Sequence, residues 1–152
     1  MLRVKAIYMN YQERAIGTEG CPSFSWILES DKKNVIQEAY YLIIKEGRKE
    51  VYNSGWVETA QSAHIKPDVV LKSLTKYIVL VQVKDKEEES PLSDPAFFIT
   101  GILKKEEWLA KFLSAEIIED KDNSKGTYVR KNFQADGEIE SAYVCTTALG
   151  LY

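Results

Sequence analysis

Few residues in this chain have the types and spacing that chemistry needs. Cys21 and Cys145 are its two cysteines and His64 its one histidine. A thiolate–imidazole nucleophile would need one cysteine beside His64, and nothing local in the sequence supports such a pair. No CxxC spacing is present, and two cysteines with one histidine make no recognisable zinc site. Nothing in the separation of Cys21 and Cys145 demands a disulfide. No glycine-rich phosphate loop occurs. Of the 23 acidic residues, most fall in runs such as Lys84 to Glu89 and Glu119 to Asp122, which read as solvated turns. His64, in a short polar stretch before Pro67, reads as a surface or rim residue. The expectation is no catalytic residue, no metal and no cofactor.

The elements that would have to position any site are strands. In "CPSFSWILESD", residues 21–31, Phe24, Trp26 and Leu28 alternate with Ser23, Ser25 and Ile27, the pattern of a strand with one buried face. "LRVKAIYM" before it and "QEAYYLIIKEG" after it read as further strands, with "GTEGCP" as a turn cluster. "EVYNSGWVET" carries a bend at Asn53-Ser54-Gly55 inside a short strand pair, and "SAHIKP" is a short strand stopped by Pro67. "TKYIVLVQVKD" sets Tyr77, Val79, Val81 and Val83 on one face, and "AFFITG" returns after a charged turn. About seven short strands in some 100 residues read as a β-sandwich. "LKKEEWLAKFLSAEII" then suggests a short helix, "EDKDNSKG" a polar linker, and residues 127–152 β structure again, with Asp136-Gly137 as a turn. The domains expected are 1–101 as sandwich, 102–126 as linker with a short helix, and 127–152 as a β-hairpin, the first strands of a second sandwich that the chain leaves unfinished.

Composition agrees with a folded globular chain of 152 residues: 45% hydrophobic, 28% charged. A net charge of −3 argues against nucleic acid as partner. No run is long enough for a transmembrane helix, and "MLRVKAIYMNYQER" is too charged for a signal peptide. The expectation is therefore no membrane, with the compartment cytoplasmic or undefined.

Leu74 and Thr75 just before Tyr77 resemble the tyrosine corner of immunoglobulin-like and fibronectin type III sandwiches, with Trp26 as the central core aromatic. The plain reading of Trp26 and Tyr77 is packing. The order of "CPSFSWILESD", "QEAYYLII", "VYNSGWVET", "LKSLTKYIVLVQVKD", "DPAFFITGIL" and "EEWLAKFL" resembles the N-terminus of bacterial α-L-rhamnosidases of glycoside hydrolase family 78. Those enzymes begin with a fibronectin-like sandwich and continue through a linker and a second sandwich to a helical barrel. The departures are Phe112, where a second linker tryptophan is usual, and Trp56, where a smaller or charged residue is common. Trp108 and Phe112 would pack the linker. The family's catalytic glutamates lie on the barrel, so no residue of this sequence inherits their role. The resemblance implies a non-catalytic accessory fragment that supports neighbouring domains or a dimer. Its partners would be the downstream domains of a parent acting on rhamnosides, and a second copy through the C-terminal strands. The alternative is a carbohydrate- or protein-binding module, for which Trp56, with Tyr52 nearby, could stack on a sugar's apolar face. An unrelated adhesion domain is disfavoured by the continuation past Gly101.

Overall fold

The computed structural model describes residues 1–113, 128–139 and 141–147. The chain divides into two units, Met1–Trp108 and Leu109–Tyr152.

The first unit holds seven strands: β1 (Arg3–Met9), β2 (Arg14–Thr18), β3 (Phe24–Glu29), β4 (Ala39–Glu46), β5 (Lys49–Glu58), β6 (Lys76–Lys84) and β7 (Ala96–Thr100). β1 and β3 form one antiparallel sheet, and the other has the order β2-β7-β6-β4-β5. β2 runs parallel to β7, whereas the remaining pairs of that sheet are antiparallel. The architecture is an immunoglobulin-like β-sandwich.

Alternation determines what faces inward. Tyr77, Val79, Val81 and Val83 of β6 are buried, as are Tyr40, Leu42 and Ile44 of β4, Phe98 of β7 and Phe24 and Trp26 of β3. On β1 the inward set begins as Leu2 and Val4 and continues as Ile7 and Met9, because a register shift between Val4 and Ala6 inserts one residue. That bulge explains why the sequence of β1 alternates only roughly. The chain passes from one sheet to the other at a two-residue turn, Asn10-Tyr11, closed by Met9 N–H to Gln12 O at 2.7 Å and Gln12 N–H to Met9 O at 3.0 Å.

Four elements differ from the sequence reading. β2 was unforeseen: it has five residues, one of them a glycine, and its preceding turn lacks the Asn-Gly signature. "SAHIKP" makes only an isolated bridge, Ile65 to Phe24, and "EVYNSGWVET" lies in a single ten-residue strand with a bulge rather than a strand pair. The helix expected from Leu103 onward is one 3₁₀ turn, Lys105–Glu107, without a side-chain cap, and residues 108–113 are not helical. Its apolar positions Leu109, Phe112 and Leu113 are exposed, so no buried face stabilises a longer helix. The rest of that segment, 114–127, lies outside the described residues.

In the second unit no strand is assigned among the described residues 128–139 and 141–147; residues 127, 140 and 148–152 of the hairpin expected over 127–152 lie outside the described residues. Tyr128, Val129, Phe133, Ile139 and Val144 are exposed.

Candidate functional site

The core aromatics are held by hydrogen bonds as well as by packing. Tyr77, 1% exposed, stacks on Phe98 with ring centroids 5.3 Å apart. Its hydroxyl accepts the Lys72 N–H at 2.8 Å, which closes the loop before β6. Leu74 turns that loop with φ at 52°, its N–H donating to Gly101 O. This is the geometry of a tyrosine corner. Trp26 meets Tyr40 edge-on at 5.2 Å and donates its indole N–H to Gln37 Oε1 at 2.8 Å. Gln37, itself buried, donates from Nε2 to Thr59 O and Gln61 O at 3.1 and 2.9 Å. It therefore ties the core indole to the loop after β5. Gln37 was not singled out in the sequence. The available signal was the buried indole, whose N–H needs an acceptor.

Trp56 and Tyr52 lie on opposite faces of β5. Tyr52 sits opposite Ile44 and packs against the core. Trp56 sits opposite Tyr41 on the outer face, with ring centroids 5.7 Å apart. The bulge at Ser54-Gly55 causes the switch. Gly55 takes φ at 60°, and Ser54 Oγ accepts the Leu42 N–H at 2.8 Å, so Asn53 and Trp56 both point outward. Lys84 Nζ lies 5.2 Å from the Trp56 ring centroid and pairs with Glu58 at 2.8 Å. The indole is thus flanked by Tyr41 and Lys84. Trp108 is half-buried in the first unit, where the 3₁₀ turn is anchored by Ser73, which accepts the Leu103 N–H and bonds Glu107. Phe112 is exposed in the second unit.

Among the described residues the displaced titratable groups have local causes. Burial pushes the Cys21 thiol up to about 12, so it is neutral at pH 7 and a poor nucleophile. Asp31, Glu29 and Asp85 are each held below the ordinary carboxylate range. The causes are the N-terminal ammonium for Asp31, Arg3 for Glu29, and the Glu87 and Glu88 backbone N–H groups for Asp85. A glycosidase acid needs the opposite displacement. An open groove of about 350 Å³ beside β1 is lined by charges of both signs, Lys5 and Arg14 with Glu13 and Asp94. Among the described residues no three His, Cys, Asp or Glu side chains gather as a metal site, and no helix is long and apolar enough to cross a membrane.

His64 lies on the surface beside Tyr11. The rings meet edge-on at 5.4 Å, and the Tyr11 hydroxyl is 3.4 Å from His64 Nδ1.

A two-sheet sandwich with a parallel β2–β7 edge, a tyrosine corner and a buried central tryptophan defines an immunoglobulin-like module. Residues 4–104 match the family described as "Rha78A-like, N-terminal immunoglobulin domain", and the chain belongs to that family. Among solved structures it is similar to the α-L-rhamnosidase of Streptomyces avermitilis, determined in complex with L-rhamnose, at 28% identity and a TM-score of 0.71, over 76% of this chain. It is similar to the α-L-rhamnosidase of Dictyoglumus thermophilum at 26% identity and a TM-score of 0.66, over 71% of this chain. The α-L-rhamnosidase of Aspergillus terreus shares the fold, with 20% identity and a TM-score of 0.61 over 72% of this chain. The match spans 12%, 13% and 13% of those three chains. Comparison with curated proteins finds no match.

Proposed function

We propose that this chain is the non-catalytic N-terminal accessory region of an α-L-rhamnosidase-like glycoside hydrolase. It holds neighbouring domains in place, and the parent acts on rhamnosides. The observation that carries the reading is the family match over residues 4–104, an N-terminal domain within much longer chains. The electrostatics favour a supporting role. Glycoside hydrolysis requires two carboxylates across the scissile bond, one kept protonated near neutral pH. Among the described residues Glu29, Asp31 and Asp85 are displaced downward, toward ionisation.

The partners of such a region are downstream domains of its own parent, and a second copy through residues 127–152. The exposed Tyr128, Val129 and Phe133 support such a contact, since apolar surface of this kind is stabilised by being covered. Sedimentation of the full chain beside a version ending at Gly101 tests the second copy. Equal monomeric behaviour at high concentration would exclude it.

The alternative, a sugar-stacking module centred on Trp56, is weaker at that position. Trp56 is only 36% exposed, and Tyr52 faces the core.

Incubating the purified chain with an aryl α-L-rhamnoside tests the non-catalytic reading. No release of the aryl group is expected. Turnover that is abolished by replacing one carboxylate of this chain would overturn it.

A further inference from the structure

The Asn10-Tyr11 turn is anomalous. Both central residues are left-handed, with φ at 47° and 67°, as a type I′ hairpin turn requires. The second central position of such a turn strongly favours glycine, yet it carries a tyrosine that is 76% exposed. Burial returns little for the backbone cost. His64 is a second exposed residue with left-handed backbone, φ at 57°, and it meets the Tyr11 ring.

Both loops are pinned to the start of β3. The Asn10 N–H donates to Ser23 O at 2.9 Å, and Asn10 Oδ1 accepts from Ser23 N–H at 3.0 Å and from Ser23 Oγ at 3.2 Å. The His64 N–H donates to Ser25 Oγ at 3.1 Å, and the next residue, Ile65, bridges Phe24 in both directions. The two rings are therefore presented on a rigid support, with little further order to be imposed by a ligand. Strained backbone that its surroundings hold in place clusters at ligand-binding sites, and here it carries exposed functional side chains.

We propose that Tyr11 and His64 form a saccharide-binding site, which takes the apolar face of a pyranose on the Tyr11 ring and its hydroxyls on His64 and Asn10. The patch has the right chemistry for a small polar ligand. It offers one flat ring for C–H stacking, while the imidazole and the Asn10 Nδ2, which has no partner among the described residues, supply hydrogen bonds. It fits a protein partner poorly, because the residues that pin the two loops, Asn10, Ser23 and Ser25, are polar and do not supply the apolar centre that a protein interface uses. The site shifts the sugar-binding reading from Trp56 to this turn and does not depend on the rhamnosidase parentage.

The test is a backbone-amide NMR titration of the 152-residue chain with L-rhamnose and, separately, D-galactose, for the parent and for Tyr11→Gly. At least one sugar should shift the amides of Asn10, Tyr11, Ser23 and His64 in a saturable manner. The variant should bind several-fold and up to about tenfold more weakly, the size expected for losing one stacking contact. The same variant should unfold at a higher denaturant concentration, because glycine relieves the left-handed cost; this separates lost binding from lost folding. No shifts with either sugar, equal binding by the variant, or a variant of lower stability would each overturn the proposal.

Discussion

Two tyrosines show how differently one residue type is used in this sandwich. Tyr77 is buried at the corner before β6, stacked on Phe98, its hydroxyl taking up the Lys72 N–H. Tyr11 stands exposed at the tip of a turn whose backbone favours glycine. The first is explained by what it contributes to the fold: apolar area removed from water and a backbone donor satisfied. The second buries little in return for its left-handed backbone. Where packing accounts for a residue, function need not be invoked; where it does not, the surface is the place to look.

The largest effect is expected at the centre of the packed region. Trp26→Ala should destabilise by about 3–5 kcal/mol, the range for aromatic truncation in a core, read as a lower urea midpoint. An unchanged midpoint would remove the interior side of the comparison. Gln37→Leu should cost about 2 kcal/mol, because it leaves the Trp26 indole N–H and the Thr59 and Gln61 carbonyls without their partner. A neutral result would mean that water replaces the glutamine.

Gly55 sharpens the comparison from the other side. It is left-handed like Tyr11 but carries the residue that conformation favours, and an added Cβ would meet nothing within 4 Å. Gly55→Ala should therefore cost about 1 kcal/mol from backbone conformation alone, measured by urea unfolding. A neutral substitution would weaken the claim that the Tyr11 backbone is costly.

The smallest effect is at the surface charges. Glu29, Asp31 and Asp85 are held more acidic in the folded chain than when unfolded. Each therefore contributes stability that is fully present above the ordinary carboxylate range of about 4 and is lost as pH falls through the lower folded value. Thermal midpoints should decline modestly on acidification through that window, and added salt should blunt the contributions of Arg3 and the N-terminus. A midpoint that rises on acidification would contradict the assignment.

Much of the sandwich was legible because its strands bury one face. The alternation of Tyr77, Val79, Val81 and Val83, and of Phe24 with Trp26, states which side is inward before any contact is known. β2 was illegible because five residues starting from an Asn-Tyr turn carry no recognisable signal, and its parallel pairing with β7 comes from chain ends far apart in sequence. Trp56 and Tyr52 looked like neighbours in sequence; the Ser54-Gly55 bulge places them on opposite faces. Residue types alone do not announce a register shift. The Tyr11–His64 pair was invisible for a similar reason. The rings are 53 residues apart, and only the two loops pinned at the start of β3 bring them together.

The most direct measurement is urea unfolding of Tyr77→Phe and Tyr11→Gly side by side with the parent chain. The Tyr77→Phe midpoint should fall, by about 1–2 kcal/mol in stability, since the Lys72 N–H loses its acceptor. The Tyr11→Gly midpoint should rise, by up to about 1 kcal/mol, as the left-handed backbone receives the residue it favours. Opposite signs are the prediction; a fall in both would show that Tyr11 is held in place for stability and would contradict the account.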